Sequence, residues 1–145
     1  MCFVKKKIKP VQGVVEISRA GYMQLSGLPP ISPGNPPDDT YWLVPKSELT
    51  RIGTELVYPA TWYIENLWDC DKYAMQGMLD ARRIFGACVQ FVFGDVPGGY
   101  HGFDFAIDLD GHSWILENNA GFPHAGVWYP AKSNDIGYVP KKLWV

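Results

Sequence analysis

Between residues 70 and 85 the chain carries its longest unbroken pattern. Cys70, Tyr73, Ala74, Gly77, Met78, Ala81, Ile84 and Phe85 return at steps of three and four, the spacing that gathers side chains on one face of an α-helix. Gly86 follows, a residue that readily closes a helix in the left-handed conformation, and Asp69 precedes it at the N-cap position. The spacing predicts a helix over 70–85. Ala74, Gly77 and Ala81 are small and lie on the stripe, so a neighbour can pack very close, as a central helix on a sheet requires. The remaining chain must supply that sheet within 145 residues, the size of one ordinary domain. With 47% apolar and 14% aromatic residues there is enough apolar area to offset the entropy of ordering it. We expect a single domain over 1–145, with N-terminal strands and a Pro-rich loop in 1–39 and the core in 40–145.

Strand signals surround the helix. Phe3 with Val4, and residues 11–17, read as short strands on either side of the Lys5, Lys6, Lys7 cluster, which fits a solvated sheet edge. Residues 27–39 hold Pro29, Pro30, Pro33, Pro36 and Pro37 and form a surface loop. Residues 40–44 (TYWLV) read as a strand and 45–52 as a short helix with Ser47 as N-cap. The aromatic stretch from Leu56 to Trp68 reads first as packing around the head of the long helix, and second as a binding wall. Residues 88–93 (CVQFVF) form a strand that takes Cys88 into the core. The tail from Gly121 alternates Pro, Gly and aromatics and ends in an edge strand over 141–145, with His124 a lone loop histidine.

His101-Gly102-Phe103-Asp104 opens a further strand, and Asp110-Gly111 before His112 is a strong hairpin signal. A two-residue turn pairs Leu109 with His112, which places His101, Phe103, Phe105 and Ile107 on one face with Trp114, Leu116 and Asn118. A three-residue turn shifts the register by one and brings Glu117 to the side of His101 instead. The apolar pattern favours the short turn and Asn118.

Charge and cysteine content exclude some classes. Thirteen basic and fifteen acidic residues give a formal net charge of −2, which leaves no general footprint for nucleic acid or an anionic membrane. Cys2, Cys70 and Cys88 match neither a zinc pattern nor a disulfide framework, and no apolar run is long enough for a membrane helix. The expectation is a cytoplasmic protein without metal or cofactor. His101, His112, His124 and Glu117 cannot share an ion, because His112 stands at the turn and His101 at the far end of the strand.

Cys70 carries the chemical interest. In the first turn of a helix, free amides and the positive end of the dipole stabilise a thiolate, which is the nucleophilic form. Asp69 and Asp71 oppose this unless they are paired elsewhere, whereas an imidazolium from His101 would support it. Without such a partner Cys70 is simply a small apolar residue at the top of the stripe.

Asp69-Cys70-Asp71-Lys72-Tyr73-Ala74, His101-Gly102-Phe103-Asp104 and residues 114–121 (WILENNAG) resemble, in order and spacing, three motifs of the transglutaminase-like, papain-fold cysteine protease superfamily found in microbial and phage genomes. The resemblance spans about residues 40–145. It implies an α+β fold, a papain-like or transglutaminase-like core in which the central helix carrying Cys70 packs on a mostly antiparallel sheet. It also implies that Cys70 is the nucleophile, His101 the base, and Glu117 or Asn118 the residue that orients the imidazole. The backbone amide of Cys70 and the side chain of Asn66 are the oxyanion donors to examine. A peptide, protein or small amide or ester substrate would undergo acyl transfer. The alternative is a non-catalytic binding module on the same fold, such as a phage accessory or counter-defence protein holding a small ligand or protein partner.

Overall fold

The computed structural model describes residues 9–31 and 38–145. The run at Phe3 and Val4, the Lys5, Lys6, Lys7 cluster and Pro33, Pro36 and Pro37 lie outside the described residues. In chain order the elements are β1 (Val15–Ser18), α1 (Arg19–Ser26), β2 (Thr40–Leu43), α2 (Lys46–Ile52), α3 (Cys70–Phe85), β3 (Gln90–Val96), β4 (Gly99–Ile107), β5 (Ser113–Leu116), β6 (Tyr129–Pro130) and β7 (Val139–Leu143). Short 3₁₀ turns over Gly53–Leu56 and Ala60–Trp62 bridge α2 to α3. β1 and β2 form a two-stranded antiparallel ribbon. The other five make one antiparallel sheet in the order β6-β5-β4-β3-β7.

α1 has no clean stripe in the sequence. Its start is fixed instead by the Ser18 hydroxyl accepting from the Gly21 amide at 3.1 Å, and it anchors through buried Tyr22, whose ring lies 5.0 Å from that of Tyr41. α2 begins after Pro45, so Ser47 sits inside the first turn and is not its cap. α3 closes at Gly86, where a φ of 61° lets its amide reach the carbonyls of Ala81 and Arg82. Asp69 occupies the N-cap position without capping. Its carboxylate accepts instead from Lys72 Nζ at 3.0 Å, and the same ammonium reaches Asp71 at 2.9 Å.

The sheet organises the molecule. β4 is hydrogen-bonded on both sides and is buried from His101 to Ile107, and the main core cluster draws Phe103, Phe105, Ile107, Ile115 and Leu116 from it and its neighbour β5. α3 packs on β3 and β4, yet its fully buried contributions to that cluster are Ala81 and Phe85 alone. Ala74 and Met78 join Phe91 in a separate small cluster. Small residues let a helix lie close but bury little area each, so the bulk of the core comes from strands and loops. The expected α+β arrangement, a central Cys70 helix on a papain-like or transglutaminase-like core, is therefore corrected. The chain is mostly antiparallel sheet, and α3 flanks it.

Gly77 marks the closest approach of α3 to the sheet. A side chain there would overlap Asp104 Oδ2 and Asn118 Nδ2.

Candidate functional site

The site is set by the β4–β5 hairpin. The Asp108 amide donates to the His112 carbonyl at 2.9 Å, enclosing Leu109, Asp110 and Gly111 as a three-residue loop, with Gly111 at φ 80°. Asp108 Oδ1 accepts from the amides of Asp110 and His112, both at 2.9 Å, which holds the longer turn in place. The pairing is accordingly Asp104 with Leu116 and Ile107 with Ser113. The two-residue turn and its Leu109 to His112 pairing are corrected by one residue. That single step turns β5 over, so Glu117 comes to the face of His101 and Asn118 to the face of Asp104.

Contacts follow this register. His101 Nε2 lies 2.6 Å from Glu117 Oε2, with both side chains buried. Asn118 does not reach the imidazole: its Nδ2 donates to the Leu56 carbonyl at 2.9 Å and to Asp104 Oδ2 at 2.6 Å. Its assignment as an orienting residue is replaced by a structural one. Asp104, fully buried, is pushed well above the usual carboxylate range by burial, against the opposing effect of the Asn118 hydrogen bond, and the charge of Glu117 adds to the rise.

Cys70, at the head of α3, meets His101 across Gly102. A side chain at Gly102 would crowd the Asp71 backbone, so the bare glycine lets the first helical turn rest on β4. Because Nε2 is committed to Glu117, Nδ1 is the imidazole nitrogen left to address the thiol. Burial alone would raise the Cys70 pKa. Hydrogen bonding with His101 and with the Gly102 amide outweighs it, and the thiol is held below its ordinary value although Asp69 acts in the opposite sense. His101 shows the reciprocal effect. Burial opposes its charge, but Cys70 and Glu117 push its pKa up to about 9. Both shifts run in the direction that favours a thiolate beside an imidazolium.

Rings of Phe103, Phe122 and Tyr138 surround the imidazole at 5.4 to 6.3 Å. The Tyr138 hydroxyl donates to Glu117 Oε2 at 2.8 Å, and the Asn119 amide donates to Oε1 at 2.9 Å. Neither Tyr138 nor its neighbour His124 was legible as a site residue, because nothing near them in the chain marks a partner in β5. Asn66 is exposed, and its φ of 60° serves the tight turn between Ile64 and Trp68. His112 belongs to the hairpin turn, 3.7 Å from Asp108, and lies apart from the site.

A second feature lies beside α3. Tyr58, Trp62 and Trp68 line a cleft of about 820 Å³ with Gln76, Asp80 and Arg83 at its polar side. Tyr58 and Trp62 stack at 5.4 Å, and Trp68 meets Trp62 edge-on at 5.9 Å. Trp62, Tyr63, Ile64 and Leu67 remain exposed, so this aromatic stretch forms a wall and does not simply fill space around the helix head.

No protein-family model matches the chain, and no curated protein matches it. Its backbone is similar to that of PSL1a in a complex with E64, with a TM-score of 0.59 and 15% identity over 88% of this chain. It is also similar to that of Polyporus squamosus lectin bound to the human-type influenza-binding epitope Neu5Acα2-6Galβ1-4GlcNAc, with a TM-score of 0.55 and 14% identity over 88% of this chain. The chain spans about half the length of each, 50% and 49%. The resemblance to the transglutaminase-like, papain-fold superfamily is thereby corrected, together with the papain-like and transglutaminase-like hydrolase description that came with it. Three short motifs can recur wherever a helix head, a strand start and a strand end impose similar local demands, and the backbone as a whole is similar to PSL1a and to Polyporus squamosus lectin. Among the described residues no helix is long and apolar enough to cross a membrane.

Proposed function

We propose that this chain is a ligand-binding domain whose site at the head of α3 holds a thiol poised for acyl transfer. Cys70 is the nucleophile, His101 the base and Glu117 the group that orients the imidazole. The observation that carries the proposal is the 2.6 Å contact between His101 Nε2 and Glu117 Oε2, which leaves the opposite ring nitrogen to the thiol. The Cys70 thiolate would add to an amide or ester carbonyl, forming the C–S bond as the carbonyl pair moves to oxygen. Collapse expels the amine or alcohol, which takes its proton from the His101 imidazolium. Water or an amine, deprotonated by His101, then releases the acyl group from sulfur. A peptide, protein or small amide or ester fits this chemistry.

Alkylation of Cys70 by iodoacetamide as a function of pH tests it, with Cys70→Ser as the background control. Cys88 contributes little, since burial pushes its thiol up. The expected profile rises at a pH below that of a free thiol, near ~8.5. It stays level through neutrality and changes again as His101 loses its proton at about 9. An ordinary thiol profile would sink the proposal. E64, the molecule held by PSL1a, serves as a second probe, with binding expected to be lost in Cys70→Ser.

The structural likeness favours a second reading, a carbohydrate-binding module without catalysis. The aromatic cleft has the make-up it needs, an exposed indole face for a pyranose ring and polar groups for its hydroxyls. Titration calorimetry with Neu5Acα2-6Galβ1-4GlcNAc, galactose and N-acetylglucosamine is the measurement. On this reading Trp62→Ala weakens saccharide binding at least about tenfold, the loss of one well-packed aromatic contact, and leaves Cys70 alkylation unchanged. Absence of binding to all three sugars removes the reading.

A further inference from the structure

Glu117 Oε2 receives two donors. One is His101 Nε2 at 2.6 Å and the other is the Tyr138 hydroxyl at 2.8 Å. An ionised carboxylate can only accept, so the single phenolic proton of Tyr138 must point at Glu117. The Tyr138 oxygen also lies 3.0 Å from His124 Nε2, and with its own proton already directed it can only accept there. His124 must therefore carry a proton on Nε2. The hydrogen bonds run in one sense from the edge of the molecule inward, from His124 to Tyr138 to Glu117, and they meet those running from Cys70 through His101 at the same carboxylate oxygen.

Tyr138 is held firmly enough to act in this way. It is buried, its ring packs against those of His101, Phe103 and His124, and its backbone is clamped by Asn134, which donates to the Tyr138 carbonyl at 2.9 Å and accepts from the Tyr138 amide at 3.0 Å. Phe122 and Tyr129 flank the His124 ring.

We infer that Tyr138 is a positioning residue for the thiol site, and that His124 acts through it by fixing the direction of its hydroxyl. The inference rests on the thiol reading above. Without the Tyr138 hydroxyl, Glu117 remains buried with the Asn119 amide and His101 as its donors, and the charged carboxylate is less well supported. With one donor fewer the carboxylate is held less firmly and is a poorer partner for the His101 imidazolium. The Cys70 thiolate loses part of its support in turn. The titratable groups that face this network are Asp69 and Cys70 at the head of α3, His101 and Asp104 from β4, Glu117 at the end of β5, Tyr138 ahead of β7, and His124 from the loop between β5 and β6.

Tyr138→Phe removes one oxygen and keeps the ring. In the whole 145-residue chain, iodoacetamide alkylation of Cys70 should shift its acid limb upward by about one pH unit. The rate at pH 6.5 then falls about tenfold, while that at pH 9.5 stays within about twofold. A residue that merely packs would lower the melting temperature and leave the pH profile in place. His124→Leu, which leaves Tyr138 intact but undirected, should move the limb in the same direction by a smaller amount. His124→Gln, which can still donate to the Tyr138 oxygen, should restore the wild-type profile. An activated wild-type profile that is unmoved in Tyr138→Phe overturns the inference and leaves the thiol reading standing. If Tyr138→Phe does not fold, a His124→Leu profile superimposable on wild type overturns it equally. An ordinary thiol profile in the wild type removes both.

Discussion

Replacing His101 with alanine is expected to slow iodoacetamide alkylation of Cys70 at pH 6.5 by at least about tenfold, and to bring the rate toward wild type above pH 9. Burial by itself raises the thiol pKa, and the helix head is flanked by Asp69 and Asp71. Lys72 neutralises part of that charge, yet its ammonium is partly solvated and lies with the carboxylates. The imidazolium is thus the principal charge that favours the thiolate, and removing it leaves only the Gly102 amide to oppose desolvation. A thiol with an ordinary pKa near ~8.5 is only about one per cent ionised two units below it. The higher intrinsic nucleophilicity of a more basic thiolate recovers part of the loss, which is why the expected factor is smaller than the change in ionised fraction. Glu117→Gln should fall between the two, since an amide can still orient the ring but offers no charge to it. Mass-spectrometric rates across pH 5 to 10 decide the matter. Equal rates for wild type and His101→Ala at every pH would show that Cys70 and His101 are only packed neighbours.

Gly77→Ala is expected to destabilise the fold by about 1 to 2 kcal/mol. Alanine is the better helix former by about 1 kcal/mol, so the sign depends on what the new methyl group meets. It meets Asp104 Oδ2 and Asn118 Nδ2, two buried atoms hydrogen-bonded to each other, with Asn118 also tied to the Leu56 carbonyl. Neither is the free end of a flexible side chain. Either α3 lifts from β4, at the ~1–3 kcal/mol typical of overpacking, or the Asp104 to Asn118 bond breaks and leaves buried polar groups unpaired at a similar cost. Urea denaturation measures the difference. Leu79→Ala, on the exposed side of the same helix, should stay within about 0.5 kcal/mol. A Gly77→Ala protein as stable as wild type would mean that α3 does not rest on β4 at that distance.

Several elements were legible because local periodicity determines them. α3 is one, since its stripe, its closing Gly86 and its Asp69 start each point to the same bounds. α1 was not, because a short helix held by one serine cap and one buried tyrosine leaves little periodicity to find. The weight of α3 in the architecture was misjudged for a related reason: small residues announce close packing, but they do not say how much of the core a helix supplies. Chemical identity was harder still. Cys70 and His101 stand out by residue type, whereas the choice between Glu117 and Asn118 depended on hairpin register, and the apolar pattern fitted the shorter turn. The Asp108 side chain decided that register through hydrogen bonds to the Asp110 and His112 amides, a preference that hydrophobic alternation does not encode. Tyr138 depended on tertiary placement altogether. The family resemblance drew on three short motifs, each within the reach of local structural demands, and the backbone as a whole answers to a different set of structures.

The loop of Leu109, Asp110 and Gly111 therefore selects between two chemistries. Side chains alternate along β5, so shortening that loop by one residue would present the amide of Asn118 to His101 and place the acid of Glu117 beside Asp104. The imidazole would lose its anion, and two carboxyl groups would meet in the interior. No residue of the site would have been substituted, yet its electrostatics would have been inverted. Insertions and deletions in this hairpin should consequently be counted as changes to the candidate site when descendants or designed variants of the domain are compared.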